Sequence, residues 1–261
     1  MTERTRDGLP RLAASLLAAH DGPAPLVLPN AWDVASARAV AAAGFPVVAT
    51  SSHAVAEVLG TGDDDSADPD LVFPYLARLA HSVDVPVTGD IEAGYGLAAG
   101  ELVGRLLDAG IVGCNLEDTD HHGPGVLVDV DRHAERLAWV RAAATAAGVH
   151  LVINARVDTF IRRAGGPDEQ LADGIRRARR YREAGADCVY PIGLAEPEAI
   201  RAFVAAVEGP VNLLARPAGP TPAELGALGA RRISFGGGLH RRVLDHLRHA
   251  LEEVAAGSAS A

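Results

Sequence analysis

Lysine is absent from this 261-residue chain, so all 24 side chains counted as Lys or Arg are arginines. That absence excludes a Schiff-base aldolase, a pyridoxal-phosphate enzyme anchored through lysine, and a P-loop, each of which needs an amine at a fixed position. Cysteine is nearly absent. Cys114 and Cys188 each lie within an apolar run, as buried reduced thiols do, which predicts neither a disulfide nor a nucleophile and fits a reducing cytoplasm. No apolar run reaches membrane-spanning length and the N-terminus has no signal-peptide core, so a cytoplasmic protein without a membrane partner is expected. Positive charge is also short. The formal net charge of -10 leaves no concentrated basic face for nucleic acid. Arg162, Arg163, Arg176, Arg177, Arg179 and Arg180 cluster, but they alternate with acids and read as solvated helix faces.

What is present is apolar content, 48% of residues, in a length that suits a sizeable core. After a helical stretch at 9–20, short apolar runs at 26–29, 46–49, 85–89, 111–116, 149–153, 188–192, 211–215 and 233–235 alternate with helical spacing. The intervening helices are read at 33–43, 69–82, 98–109, 131–147, 167–184, 196–207, 221–228 and 239–255. Residues 50–68 read as a long acid-rich connection. Thr221, Pro222 and Glu224 form a capping-box signature. Eight strand-helix units without a linker predict one (β/α)8 TIM barrel domain over 1–261, with about 1–8 and 257–261 mobile. A doubly wound open sheet is the alternative, although its phosphate-binding glycine fingerprint is missing after the first strand.

In a barrel, chemistry gathers at the carboxyl ends of the strands. Asp90 and Glu92 close the third apolar run. If that run stays extended, its period of two puts both on one face, where their repulsion favours a divalent cation. Glu117 adds another hard oxygen, and few neutral nitrogens stand nearby, which favours Mg²⁺ or Mn²⁺ over zinc. Arg156 ends a buried strand and has a planar fork suited to a carboxylate; the alternative is an internal salt bridge to Glu117 or Asp158. Thr50, Ser51 and Ser52 offer a polar cradle or simple turn chemistry, and Arg216 stands at a seventh strand end. Tyr95 could pack on a substrate or donate a proton. His121 and His122 read as a solvated loop, with one of them, here His122, as the acid-base group of a lid. Asp63, Asp64 and Asp65 read as an exposed acidic loop from which one acid could reach the cation through water.

In combination, Pro29-Asn30-Ala31-Trp32-Asp33, Thr50-Ser51-Ser52, Asp90-Ile91-Glu92-Ala93-Gly94-Tyr95-Gly96, Asn115-Leu116-Glu117-Asp118, Asn154-Ala155-Arg156-Val157-Asp158 and Arg231-Arg232-Ile233-Ser234 give a specific pattern. The chain resembles the isocitrate lyase and phosphoenolpyruvate mutase superfamily, in its carboxyvinyl-carboxyphosphonate phosphorylmutase-like branch. The resemblance implies a Mg²⁺ barrel that binds 2-oxo acids or their enolates, is often tetrameric, and swaps its last helix between subunits. It implies Asp90 as the direct metal ligand, Glu92, Glu117 and Asp63 in the water-mediated shell, Thr50, Ser51 and Ser52 on the substrate, and Arg156 on its anion.

The departures bear on the reaction. Lyase members carry a Lys-Lys/Arg-Cys-Gly-His loop with a catalytic cysteine, and mutases keep a lysine and an asparagine there. Here the loop is Thr119-Asp120-His121-His122-Gly123-Pro124-Gly125. Glu92 replaces the more usual aspartate, and Arg216 an asparagine. The expectation is a Mg²⁺-dependent C–C lyase, of decarboxylase or retro-aldol type, acting on a small 2-oxo carboxylate or its 2-hydroxy diacid precursor through a metal-stabilised enolate. A P–C mutase or hydrolase and a non-catalytic oxo-acid and metal binding protein are the alternatives. A class II-type aldolase, which places histidines on its metal, fits less well. A homo-oligomer, dimer or tetramer, is expected.

Overall fold

Short apolar runs bounded by glycine and proline become buried strands, and the amphipathic stretches between them become covering helices. The computed structural model describes residues 5–121, 123, 126–163 and 165–258. Its strands are β1 (Leu26–Leu28), β2 (Asn30–Ala31), β3 (Val48–Thr50), β4 (Val87–Asp90), β5 (Gly113–Leu116), β6 (Val152–Arg156), β7 (Cys188–Tyr190), β8 (Asn212–Leu214) and β9 (Arg232–Ser234). The helices are α1 (Leu9–Ala18), α2 (Val34–Ala42), α3 (Ser52–Leu59), α4 (Pro69–Ala80), α5 (Ala99–Asp108), α6 (Val130–Ala146), α7 (Thr159–Arg162), α8 (Pro167–Glu183), α9 (Pro197–Ala206), α10 (Pro222–Ala227) and α11 (Gly238–Ser258).

All strand pairs are parallel. The sheet order is β2-β3-β4-β5-β6-β7 in one sheet and β1-β9-β8 in the other. All eight expected strands form, the first split in two because Pro29 has no N–H to give a ladder. Its halves join the sheets at one seam: β1 pairs with β9, and β2 with β3. At the other seam a single bridge, Val189 to Val211, links the strand segments. The result is a TIM-barrel-like α/β fold whose backbone ladder is interrupted at these seams rather than closed. Strand order follows chain order without the reversal that a doubly wound sheet requires.

Helix α1 covers the amino ends of the strands. Its Leu9, Ala13 and Leu16 are buried, and a Cβ on Gly113, the first residue of β5, would stand 2.6 Å from Leu16 Cδ2. Only glycine leaves room for that approach. The carboxyl ends are thereby left as the working face.

Three expectations need correction. The 50–68 connection contains α3, which Ser51 caps from its hydroxyl and Gly60 ends at φ 71°. The short α7 was not expected. Arg177 is not solvated: it is buried between Asp118 and Asp173, because α8 packs that face inward. The capping box on Thr221 and Glu224 forms as read. Arg6–Gly8 form a 3-10 turn and α11 reaches Ser258. Residues 1–4 and 259–261, also expected to be mobile, lie outside the described residues.

Candidate active site

The corner between the β3–α3 elbow and the end of β4 holds the first functional group. Asp90 N–H donates to Thr50 Oγ1 at 2.8 Å, and Asp90 Oδ2 accepts from Ser52 N at 3.3 Å and Ser52 Oγ at 3.2 Å. The remaining oxygen, Oδ1, is buried without a hydrogen-bond partner among the described residues. Burial pushes the carboxyl above its ordinary pKa, Arg156 pulls it back, and Asp63 pushes further. The structure thus brings Thr50 and Ser52 onto Asp90. Ser51 is spent on the α3 cap instead.

Beyond Asp90 the extended backbone stops. Glu92 has φ 51°, so the period-two argument that put both acids on one strand face does not hold. The chain turns there because Asp65 N–H donates to Glu92 Oε2 from the neighbouring loop. Burial, with Asp63, Glu117 and Asp90 adding, raises Glu92 to about 8, against the Asp65 hydrogen bond. Tyr95 packs edge-on to Phe73, and its phenol is held well above the usual range, first by burial and then by the charges of Glu92, Asp90 and Asp65. Asp63 stands 3.5 Å from His53 Nδ1 and still bears electrostatically on Asp90 and Glu92.

Across the mouth, β5 and β6 supply Glu117 and Arg156. The guanidinium of Arg156 lies against Glu117 and forks onto Asp158, with Nε at 3.0 Å and Nη2 at 2.8 Å. Internal acids thus fill the fork, the salt-bridge alternative that the sequence left open for Arg156. A buried guanidinium without such partners is costly, so β6 carries its own counter-charge two residues on. His121 also departs from the solvated reading. Its Nε2 bonds Glu117 Oε1, which raises the imidazole pKa. An antiparallel bridge from Thr119 to Leu127 folds the segment back and makes this reach possible. His122 lies outside the described residues. Arg216 is exposed at the end of β8, beside Pro217 and Arg242 in a separate crevice.

Sequence reasoning missed three supports. Asp65 is buried and bonds three groups of the 92–95 turn; nothing in a run of aspartates marked it out. Asp118 accepts from Asp158 N at 2.8 Å, Tyr181 OH at 2.6 Å and Arg177 Nη1 at 3.0 Å, so α8 braces the Arg156 anchor. Arg232 is buried inside the barrel, with Nη2 3.3 Å from Asn115 Oδ1 and its Nε and Nη1 unpartnered among the described residues. The Arg-Ile-Ser strand alternation could have placed it inward.

Burial and mutual repulsion thus raise Asp90, Glu92 and Glu117, Asp63 bears electrostatically on the first two, and one buried carboxylate oxygen, Asp90 Oδ1, has no hydrogen-bond partner among the described residues. That donor set is hard oxygen and fits Mg²⁺ or Mn²⁺. Among the described residues no group of three or more His, Cys, Asp or Glu side chains is arranged to hold a metal ion directly. A cavity of about 570 Å³ opens beside Glu117 and His121, walled by Asp65, Arg136 and Trp139.

The sequence profile described as phosphoenolpyruvate phosphomutase matches residues 16–255. The chain belongs to the phosphoenolpyruvate phosphomutase family. A Corynebacterium glutamicum protein provisionally named 2-methylisocitrate lyase 2 is 31% identical over 260 residues, covering 92% of this chain and 80% of its own. A Burkholderia cenocepacia J2315 protein described provisionally as a phosphonomutase superposes with a TM-score of 0.88 at 39% identity, covering 93% of this chain and 99% of the other. The crystal structure of 2,3-dimethylmalate lyase, a member of the PEP mutase/isocitrate lyase superfamily, gives a TM-score of 0.82 at 26% identity, covering 94% and 87%. Relatives in the family are lyases and mutases, and this protein is an enzyme of that kind.

Proposed function

We propose that this phosphomutase-family protein is a Mg²⁺- or Mn²⁺-dependent C–C lyase acting on a small 2-oxo carboxylate or its 2-hydroxy diacid precursor. The observation that carries the reading is Asp90, buried at a strand end with Oδ1 unpartnered and three further acids around it. Bound there, the cation supplies Lewis-acid polarisation of the substrate's oxo oxygen. The chain's residues do the rest. Thr50 and Ser52 fix Asp90, Arg156 pairs with Glu117 and Asp158, and Tyr95 closes the turn that carries Glu92. His121, on Glu117, is the group placed to move a proton where other members use a cysteine.

The P–C mutase reading takes support from the family's description, but no lysine is available to cradle a phosphoryl group in transit. In the reading we favour, the two sheets act as one closed (β/α)8 barrel in a single cytoplasmic domain. It works as a homo-oligomer through α11, which is swapped between subunits.

Calorimetric titration of oxalate, an enolate mimic, with and without Mg²⁺ tests the site. Asp90→Ala is expected to abolish Mg²⁺-dependent binding, and its retention would sink the reading. A panel of 2-oxo acids, 2-hydroxy diacids and 3-phosphono-2-oxo acids, followed for pyruvate, glyoxylate or phosphate release, separates C–C from P–C cleavage.

A further inference from the structure

The loop after β4 turns left-handed four times in five residues: Glu92 at φ 51°, Gly94 at 94°, Tyr95 at 53° and Gly96 at 68°. Non-glycine residues persist in that region only where their surroundings hold them. Two side chains from distant elements do so. Asp65 Oδ1 accepts from Ala93 N at 3.0 Å and Tyr95 N at 2.7 Å, while Asp65 N–H donates to Glu92. From α6, Arg136 donates through Nη2 to Ala93 O at 2.8 Å and through Nη1 to Leu97 O at 3.2 Å. Both polar groups of Ala93 are thereby gripped, one from each side. A Cβ on Gly94 would stand 2.5 Å from Arg136 Nη2, so the grip also requires glycine there.

We propose that Asp65 and Arg136 are positioning residues that clamp this loop and fix the Glu92 carboxylate at the edge of the cation site. The inference rests on the cation reading above. It assigns to a carboxylate in the acidic loop a role other than attracting a cation, and to an arginine a role that opposes its own charge. Neither residue touches the reacting atoms.

Mn²⁺ binding to the purified full chain, read by electron paramagnetic resonance without substrate, tests it. Asp65→Ala is expected to weaken Mn²⁺ about tenfold or more, the scale seen when an outer-shell partner is lost. Asp65→Asn keeps the acceptor and suits a left-handed backbone, so it should bind close to wild type although it loses the charge. Arg136→Met should also weaken binding, whereas removing a nearby positive charge would by Coulomb's law tighten it. The inference is overturned if Asp65→Ala binds as wild type, if Asp65→Asn is as weak as Asp65→Ala, or if Arg136→Met binds more tightly. Asp90→Ala separates the two readings. Should it bind Mn²⁺ normally, the cation site itself is wrong. Should it lose Mn²⁺ while the Asp65 and Arg136 variants bind normally, the clamp alone is wrong. Circular dichroism confirms folding, and Asp65→Asn and Arg136→Met keep the test alive if Asp65→Ala does not fold.

Discussion

His20 shows how far a single residue's role can lie from its sequence context. It follows α1 and is buried, with Nδ1 3.0 Å from Leu16 O and Nε2 unpartnered among the described residues. Burial first, and then Arg232, lower its pKa from 6.5 to about 4. The folded protein therefore refuses a proton that the unfolded chain accepts. The stability that neutral His20 contributes is complete above pH 6.5 and is lost progressively as pH falls towards 4. With each pKa unit worth about 1.4 kcal/mol, wild type should lose about 2–3 kcal/mol more than His20→Gln between pH 7.5 and 4.5. Urea midpoints at the two pH values check this, and parallel losses would refute it. The same scale explains the mixed record at the site. Asp90, Thr50 and Ser52 were legible because a strand end and a short elbow leave them few directions to point. Arg156 was legible as a buried charge needing a partner, but which partner depends on where Asp158 and Glu117 meet it, and that is a tertiary fact. Asp65 was invisible, because one aspartate in an acidic run differs from its neighbours only in what it touches.

At the scale of the element, α8 carries the contrast between pattern and packing. Arg176 and Arg177 are adjacent in sequence, yet the side chain of Arg176 is 56% exposed and that of Arg177 8%. Arg177 donates to Asp118 and Asp173, and Tyr181, one turn on, donates to the same Asp118 carboxylate. Asp118 in turn holds the backbone of Asp158, so the face of α8 determines where the Arg156 fork sits. Removing one partner of a buried pair leaves the other charge uncompensated, whereas an exposed pair contributes little. Arg177→Met should cost about 3–5 kcal/mol in chemical denaturation and Arg176→Met less than about 1 kcal/mol. Equal small effects would mean that α8 is a solvated face after all, as its alternating charge suggests. The helix itself was legible from its spacing and its stop at Gly185. Its inward arginine was not, because charge patterning reports solvation on average and gives no account of a buried acid, Asp118, in the loop after β5.

For the whole molecule, unit counting succeeded because the strand-helix repeats announce themselves: an apolar run, an amphipathic stretch and, after most helices, a glycine stop. Closure did not follow from counting. It depends on Pro29 splitting the first strand and on a one-bridge seam between Val189 and Val211, neither of which has a signature beyond the proline. The last repeat is unlike the others. Along α11, Val243, Leu247, Leu251 and Val254 are each half exposed or more, at spacings of four, four and three, so they form one apolar stripe. Beside its start a crevice of about 870 Å³ opens between α11 and α2, lined by Trp32, Ala39, Val40 and Val243. Burying each such side chain stabilises by about 1.5–3 kcal/mol, so a stripe of four left in water forgoes a large part of a domain's net stability. A second copy of the chain would cover it, in line with a swapped last helix. Sedimentation equilibrium should give a dimer or tetramer for wild type and a folded monomer for the double variant Leu247→Glu, Leu251→Glu. An unchanged mass would place the subunit contact elsewhere, and a wild-type monomer would remove α11 from assembly altogether.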